Sequence, residues 1–223
     1  MAIGLRNELR GPKQNENNWQ KYMGQGAAIV HKANPDVLVF VSGLNYDTDL
    51  SLLKKKPLNV SIADKLVYEV HSYAWSSGER SDWDKQPLNK KCANVMNSLN
   101  DRAGFLMSGS NPKPLVMSEF GIDMENKTDI NEKFLSCMLV YLVGVDLDWA
   151  LWAAQGAYYI RKNEIIVSET FGIWSYDFRT LRYLEFPQRF QLMHKKLLGM
   201  TFLLLVKFEL SINIRNGKRN DVI

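Results

Sequence analysis

Two glutamates stand at the ends of short apolar segments that lie far apart in the chain. Glu119 follows the run Leu-Val-Met-Ser at 115–118 and precedes Phe-Gly, and Glu8 follows Leu-Arg-Asn at 5–7 and precedes Leu-Arg-Gly-Pro. Apolar runs of this kind favour buried strands, and a carboxylate at the end of one is costly unless it is paired or used in chemistry. A pair of such acids can hydrolyse a glycosidic bond, because one protonates the leaving oxygen while the other attacks the sugar or activates water.

Each glutamate also has a structural interpretation. Glu8 could be a solvated loop carboxylate that pairs with Arg6 or Arg10, and exposed pairs of this kind contribute little to stability. Glu119 could be a strand-end acid with a structural role. Two acids that each close a strand favour the catalytic interpretation over both of these.

The rest of the chain alternates short apolar segments with longer helical patterns. The segment 36–43, with its run Val-Leu-Val-Phe-Val, has the pattern of a buried parallel strand. Apolar residues recur at helical spacing before it, from Trp19 to the Asn-Pro at 34–35, where the proline ends the helix. The same patterns predict a stub strand at 3–6, strands at 65–70, 114–118 and 148–152, helices at 89–106, 129–142 (capped by Asp129 or Asn131) and 187–198, and aromatic-rich turns near 158–159 and 171–178.

Strands that alternate with helices form a parallel sheet with right-handed crossovers. The polar residues that follow these strands would gather at one edge of that sheet, and they are Asn7, Glu8, Asn45, His71, Tyr73, Glu119 and Trp152. Functional groups collected from the carboxyl ends of several strands are typical of barrel enzymes, so an α/β fold of the barrel type is favoured over a doubly wound sheet. No glycine-rich phosphate loop follows any of these strands, so the sequence does not support nucleotide chemistry.

Composition bounds the remaining classes of function. The 223 residues are 46% hydrophobic and 23% charged, which suits one domain with a sizeable core, and the net charge of +4 gives no sign of a nucleic-acid face. The apolar run 202–206 is far shorter than the roughly 20 residues of a membrane helix, and no signal peptide is expected within these residues. Cys92 and Cys137 lie in different predicted helices without metal-ligand spacing, so we expect buried free thiols.

These motifs together resemble glycoside hydrolase family 5, the cellulase-like retaining enzymes of the large (β/α)8 clan, and most closely its plant members. The family ends strand four with an Asn-Glu pair, in which Glu is the general acid/base and Asn contacts the sugar 2-hydroxyl, and Asn7-Glu8 matches that pair. The family nucleophile ends strand seven before Phe-Gly, as Glu119 does. His71 and Tyr73 match the His-x-Tyr that lines the subsite and orients the nucleophile after strand six, and Trp152 matches the Trp that forms the sugar platform after strand eight.

The resemblance also has a gap. The motif that should end strand four begins at residue 5, so the resemblance implies a partial TIM (β/α)8 barrel with strands four to eight, over residues 1–199, followed by an atypical tail at 200–223. The family's Arg near the nucleophile and its His after strand three belong to the missing part, and no residue here matches them. An open sheet of five strands would expose an edge at each end.

The resemblance implies a retaining mechanism on a β-linked polysaccharide or oligosaccharide. Glu119 would attack the anomeric carbon and Glu8 would serve as acid and then as base, with the carboxyl groups about 5 to 5.5 Å apart. The resemblance implies no metal and no cofactor, and carbohydrate is the expected partner, with neither nucleic acid nor membrane. Three more tryptophans are candidates for stacking on sugar faces, namely Trp75, Trp83 and Trp174.

Two other interpretations stay open or are set aside. A truncated, inactive relative would keep the sugar-contacting aromatics and at most bind carbohydrate. An aldolase-like barrel would need a Schiff-base lysine at the end of a strand, whereas Lys65 and Lys113 precede strands. The particular glycan, the oligomeric state and the cellular compartment stay undetermined by the sequence. Asp47, Asp123 and Asp177 receive no role, and His31 and His194 are expected to be structural helix residues.

Overall fold

The computed structural model of the chain describes residues 1–76 and 83–194, and its centre is one parallel sheet. The strands are β1 Ala2–Gly4, β2 Leu38–Ser42, β3 Leu66–Ser72, β4 Leu115–Phe120 and β5 Asp148–Leu151. They lie side by side in the same order as in the sequence, and every neighbouring pair is parallel. A doubly wound sheet reverses its strand order, whereas a barrel adds strands in one direction. The predicted α/β fold with part of a (β/α)8 barrel is therefore confirmed.

Helices connect the strands. They are α1 Glu16–Ala33, the short segment α2 Leu44–Asp47, α3 Leu88–Arg102, α4 Asp129–Val145 and α5 Phe186–His194. In α2 the backbone of Asn45, Tyr46 and Asp47 is left-handed, so this segment is a turn and not a regular helix. The Asn15 side chain caps α1 by accepting a hydrogen bond from the Asn18 N–H at 2.9 Å. Thr128 caps α4 in the same way through the Asn131 N–H at 3.2 Å. The prediction of Asp129 or Asn131 as that cap was wrong, because the residue before the first turn supplies the oxygen.

The core lies between the sheet and the helices. In α1, the buried residues Trp19, Met23 and Ala27 are spaced four apart, so they form one stripe of the helix. Val39 and Val41 of β2 are fully buried, whereas Leu38 and Phe40, which alternate with them, are more exposed. Local patterns of period four and period two thus place α1 against the sheet.

Cys92 of α3 and Cys137 of α4 form a disulfide, with a Cα–Cα distance of 5.0 Å. The prediction of free thiols was therefore wrong. The two cysteines are 45 residues apart, and their pairing depends on crossovers that place α3 beside α4. Nothing in the local sequence around either cysteine reports that contact.

A β-hairpin follows the sheet where the sequence predicted turns near 158–159. Its strands are β6 Ala157–Arg161 and β7 Glu164–Ser168, which pair in antiparallel fashion. Lys162 and Asn163 connect them with φ angles of 53° and 66°. Two successive left-handed residues are the signature of a type I′ hairpin turn, whose twist suits the two strands.

Within the described residues, β1 and β5 each have a neighbour on one side only, as expected for an open sheet. All three residues of β1 are exposed. The last four residues predicted for the final helix and the tail at 200–223 lie outside the described residues. A helix long and apolar enough to cross a membrane is not found in the part of the chain that the structure describes.

Candidate active site

The carboxyl ends of the five strands bring the predicted site residues to one edge of the sheet. Glu119 is the next-to-last residue of β4, and His71 is the next-to-last residue of β3. Glu8 and Asn7 follow β1, Tyr73 follows β3 and Trp152 follows β5. Five of these six side chains line one cleft. The sixth, that of buried His71, lies between the two glutamates at the floor of the cleft.

The two glutamates approach each other closely. The Nδ1 atom of His71 lies 3.6 Å from Oε1 of Glu8 and 3.6 Å from Oε2 of Glu119. One side-chain oxygen or nitrogen from each of Glu8, His71 and Glu119 lies within 4.8 Å of the other two. An approach this close is the spacing associated with a carboxylate nucleophile, whereas pairs of acids that activate a water stand about 6.5 to 9.5 Å apart.

Tyr73 fixes the Glu119 carboxylate. Its hydroxyl donates a hydrogen bond of 2.5 Å to Oε1 of Glu119. Burial, and then this hydrogen bond to a carboxylate, raise the pKa of Tyr73 well above its usual range. The hydroxyl therefore keeps its proton and acts as a donor. One Glu119 oxygen is held by Tyr73, and the other faces His71 and Glu8.

Asp47 holds the segment that carries Glu8. Its Oδ2 accepts a hydrogen bond from the Glu8 N–H at 2.6 Å, and its Oδ1 accepts one from the Leu9 N–H at 3.3 Å. The residue is fully buried. Burial raises the pKa of the Asp47 carboxyl, and the hydrogen bond from the Glu8 backbone opposes that rise. Sequence reasoning gave Asp47 no role, although its place after β2, at the same edge as Glu8, was the available signal.

His71 lies between three carboxylates. It is buried, with Nε2 3.9 Å from Oδ2 of Asp47. In the described part of the chain, Nδ1 has no hydrogen-bond partner. One ligand atom each from Glu8, His71 and Glu119 is close enough to face a cation. The two acids already have partners, because Tyr73 donates a hydrogen bond to Glu119 and Arg10 donates one to Glu8.

A second polar cluster forms the opposite wall of the cleft. The buried carboxylate of Glu169 accepts hydrogen bonds from the Trp152 indole N–H at 3.3 Å and from the Tyr158 hydroxyl. Arg161 pairs with the same oxygen at 3.3 Å. Burial and the hydrogen bond to Glu169 raise the pKa of Tyr158 to about 12. Glu169, Tyr158 and Arg161 were not among the predicted site residues, because Tyr158 and Arg161 belong to a hairpin that the sequence did not predict and Glu169 directly follows it.

The three candidate stacking tryptophans differ in their surroundings. Trp75 stacks on Tyr73 with a centroid distance of 4.7 Å and is 49% exposed, so one face is open to a sugar ring. Trp83 is only 1% exposed and packs edge-on against Phe134 in the core. Trp174 pairs with Leu181 in a short β-bridge. Trp75 alone of these three lines the cleft.

The cleft consists of two adjoining cavities of about 470 and 390 Å³. Glu8, Tyr73 and Trp75 line both of them. One cavity extends past Asn45 and Tyr46, and the other extends past Asn7 and Trp152. The two glutamates therefore lie along an elongated groove rather than at the bottom of a closed pocket, a shape that suits a chain of sugars.

The fold and the site define a class: part of a (β/α)8 barrel with two acids facing each other at the carboxyl ends of its strands. Residues 1–157 match the family model described as cellulase, glycosyl hydrolase family 5. The chain belongs to glycoside hydrolase family 5. A glycosyl hydrolase 5 family protein from Chamaecyparis obtusa is 41% identical over 194 residues, which make up 85% of this chain and 34% of that protein.

Solved cellulases share the fold. The catalytic domain of the major endoglucanase from Xanthomonas campestris pv. campestris superimposes with a TM-score of 0.64 and 19% identity, covering 89% of this chain and 57% of that one. An endocellulase from Pyrococcus horikoshii in complex with cellotetraose gives a TM-score of 0.61 and 17% identity, covering 84% and 51%. The chain thus spans about a third of the conifer relative and about half of these structures.

Proposed function

We propose that this chain carries the site of a retaining glycoside hydrolase that acts on a β-linked glucan or a related β-glycan. Glu119 acts as the nucleophile on the anomeric carbon, and Glu8 protonates the departing oxygen and then activates water. The observation that carries the proposal is the close approach of Glu8 and Glu119, with one oxygen of each 3.6 Å from the same His71 nitrogen.

The surroundings of each acid support these roles. The Tyr73 hydroxyl fixes one oxygen of Glu119, so that the other can face the reacting carbon. Arg10 Nη1 is 2.9 Å from Oε2 of Glu8, and both side chains are partly exposed to solvent. Asn7 and Trp152 line the same cavity as Glu119, which suits a hydroxyl contact and a stacking platform for the sugar.

The substrate class follows from the groove and from the relatives. The two adjoining cavities favour an extended glycan over a single sugar. One solved relative is described as an endocellulase in complex with cellotetraose, and another as a β-glucanase from Saccharophagus degradans. We therefore expect β-linked glucans to be better substrates than other β-glycans.

Hydrolysis of an aryl β-cellobioside by the whole chain tests the proposal. We expect turnover by the natural sequence and none by Glu119→Gln, since the amide cannot form the glycosyl ester. Glu164→Gln changes an exposed glutamate of β7 and should leave the rate unchanged. With a 2-fluoro glycoside, which slows breakdown of the intermediate, mass spectrometry should find the sugar on the peptide that contains Glu119. If the natural sequence turns over no faster than Glu119→Gln, hydrolysis by this chain is excluded.

A second function, carbohydrate binding without turnover, is favoured by one observation. Within the described residues, β1 and β5 each have a neighbouring strand on one side only, so the two acids lie on an open sheet. Calorimetric titration with cellotetraose separates the two functions. Binding by both the natural sequence and Glu119→Gln, with no product released by either, would identify a binding protein.

A further inference from the structure

A buried aspartate on the loop after β2 holds the backbone of the neighbouring loop after β1. Both oxygens of Asp47 are used, one by the Glu8 N–H at 2.6 Å and one by the Leu9 N–H at 3.3 Å. The Tyr46 N–H returns a hydrogen bond to the Leu9 carbonyl at 2.9 Å. Three hydrogen bonds therefore join two loops that are 38 or 39 residues apart in sequence at their side-chain contacts.

Glu8 needs such support for two reasons. Its φ angle is 49°, in the left-handed region that residues other than glycine rarely adopt unless their surroundings hold them there. It also follows β1, an exposed edge strand of three residues, which by itself fixes the loop weakly. If the Glu8 backbone relaxed to an ordinary conformation, its side chain would point in a different direction.

The interior around Asp47 keeps its carboxylate in place. The side chain is fully buried, so it cannot exchange its backbone donors for water without opening the fold. His71 lies on its other side, with Nε2 3.9 Å from Oδ2. The same imidazole faces Glu8 and Glu119 through Nδ1. Asp47 thus contacts the Glu8 backbone directly and lies next to the histidine that separates the two acids.

We propose that Asp47 is a positioning residue, which locks the Glu8 backbone in its left-handed conformation and thereby points the Glu8 carboxylate at Glu119. The clamp, by which we mean the hydrogen bonds from the Glu8 and Leu9 N–H groups to the Asp47 carboxylate, does not depend on catalysis. Its consequence for the reaction rests on the proposed function, in which Glu8 is the acid.

The clamp is tested first without substrate, by NMR of the whole chain. In the natural sequence, the Glu8 and Leu9 amide protons should move downfield with one common titration as the Asp47 carboxylate ionises, because both donate to it. In Asp47→Asn, that titration should be absent and the Glu8 amide should exchange about tenfold to a hundredfold faster, the range expected on losing a hydrogen bond to a charged group.

Asp49→Asn is the matched control. The Asp49 side chain accepts a local hydrogen bond from the Ser51 N–H at 2.8 Å, and removing its charge should leave the Glu8 and Leu9 amides unchanged. Glu8 and Leu9 amides that ignore the ionisation of Asp47 in the natural sequence would overturn the proposal without any variant.

The consequence for catalysis is tested by varying the leaving group. A dinitrophenolate departs without a proton, whereas a sugar or a phenol needs one from Glu8. Asp47→Asn should therefore reduce kcat/KM at least tenfold for phenyl β-cellobioside and much less for the dinitrophenyl compound. Equal losses on both substrates would mean that Asp47 serves stability alone, and would overturn its role toward Glu8. If the natural sequence turns over neither substrate, the proposed function fails, while the amide measurements still decide whether the clamp exists.

Discussion

Glu119 receives its supporting contacts from a single short segment, the end of β3. Tyr73 donates to one of its oxygens at 2.5 Å, and His71 stands 3.6 Å from the other. Both residues lie close to Glu119 because of the register of β3 against β4, in which His71 is paired with Glu119. The strand pairing that forms the sheet therefore also assembles the surroundings of the proposed nucleophile.

Removal of the Tyr73 hydroxyl should slow the reaction more than it weakens binding. Tyr73→Phe keeps the ring that stacks on Trp75 and deletes a hydrogen bond to a charged group, worth about 1.5 to 3 kcal/mol. We expect kcat on the aryl cellobioside to fall by roughly 10- to 100-fold, with KM changed little. Tyr176→Phe, at an exposed tyrosine, is the control. An unchanged kcat in Tyr73→Phe would show that Glu119 does not need this donor.

At the scale of elements, the helices behind the sheet are joined covalently. The Cys92–Cys137 disulfide ties α3 to α4 and closes a segment in which the two cysteines are 45 residues apart. The loss of chain entropy for a loop of this length stabilises the fold by about 4 kcal/mol in the simplest model, and measured values are usually somewhat smaller. Since β4, which carries Glu119, lies between these helices in sequence, the disulfide encloses the strand of the proposed nucleophile.

Replacing both cysteines should therefore weaken the fold. We expect Cys92→Ala with Cys137→Ala to lower the free energy of unfolding by about 2 to 4 kcal/mol, measured by urea titration without reductant. Dithiothreitol should destabilise the natural sequence by a similar amount and have no effect on the double variant. The free energy of unfolding of the reduced natural sequence should therefore match that of the double variant. If the double variant is less stable than the reduced natural sequence by the full expected amount, the loss comes from packing and not from the cross-link.

The hairpin β6–β7 extends the site beyond the sheet. It brings Tyr158 and Arg161 to the carboxylate of Glu169, which in turn receives the indole N–H of Trp152. An element outside the parallel sheet thus orients the tryptophan that we propose as the sugar platform.

Across the whole molecule, the sheet is unevenly supported. β3 lies between β2 and β4, and five of its seven residues are buried. β1 has three exposed residues and, within the described part of the chain, one neighbouring strand. Local opening requires little free energy where few groups are buried. Glu8 thus follows the least supported strand of the sheet, which is why its loop depends on contacts from Asp47.

This unevenness predicts a gradient of amide exchange. The Ile3 amide should exchange on the order of a hundredfold or more faster than the Met117 amide of β4, measured by NMR in deuterated buffer. Val41 of β2, which has neighbours on both sides, serves as the internal reference and should resemble Met117. Equal protection of Ile3 and Met117 would mean that β1 is stabilised by contacts beyond those described.

Much of this organisation follows from local sequence. The apolar run before Glu119 and the run at 36–43 each predict a strand, because backbone preference and side-chain alternation act over a few residues. The acids at 8 and 119 were found in the same way, since a charge that ends an apolar run stands out against its immediate neighbours.

Other features depend on how distant parts of the chain fold together. The contact of Asp47 with Glu8 spans 39 residues, the disulfide spans 45 and the contact of Glu169 with Trp152 spans 17. Each depends on the stagger of strands, on the packing of helices or on left-handed turn residues that no local pattern specifies. Local sequence specified the five strands of the parallel sheet and the acids that end or follow them, because those are local properties. The fold decided which loops meet, because the partners of a buried polar group are chosen by the path of the whole chain.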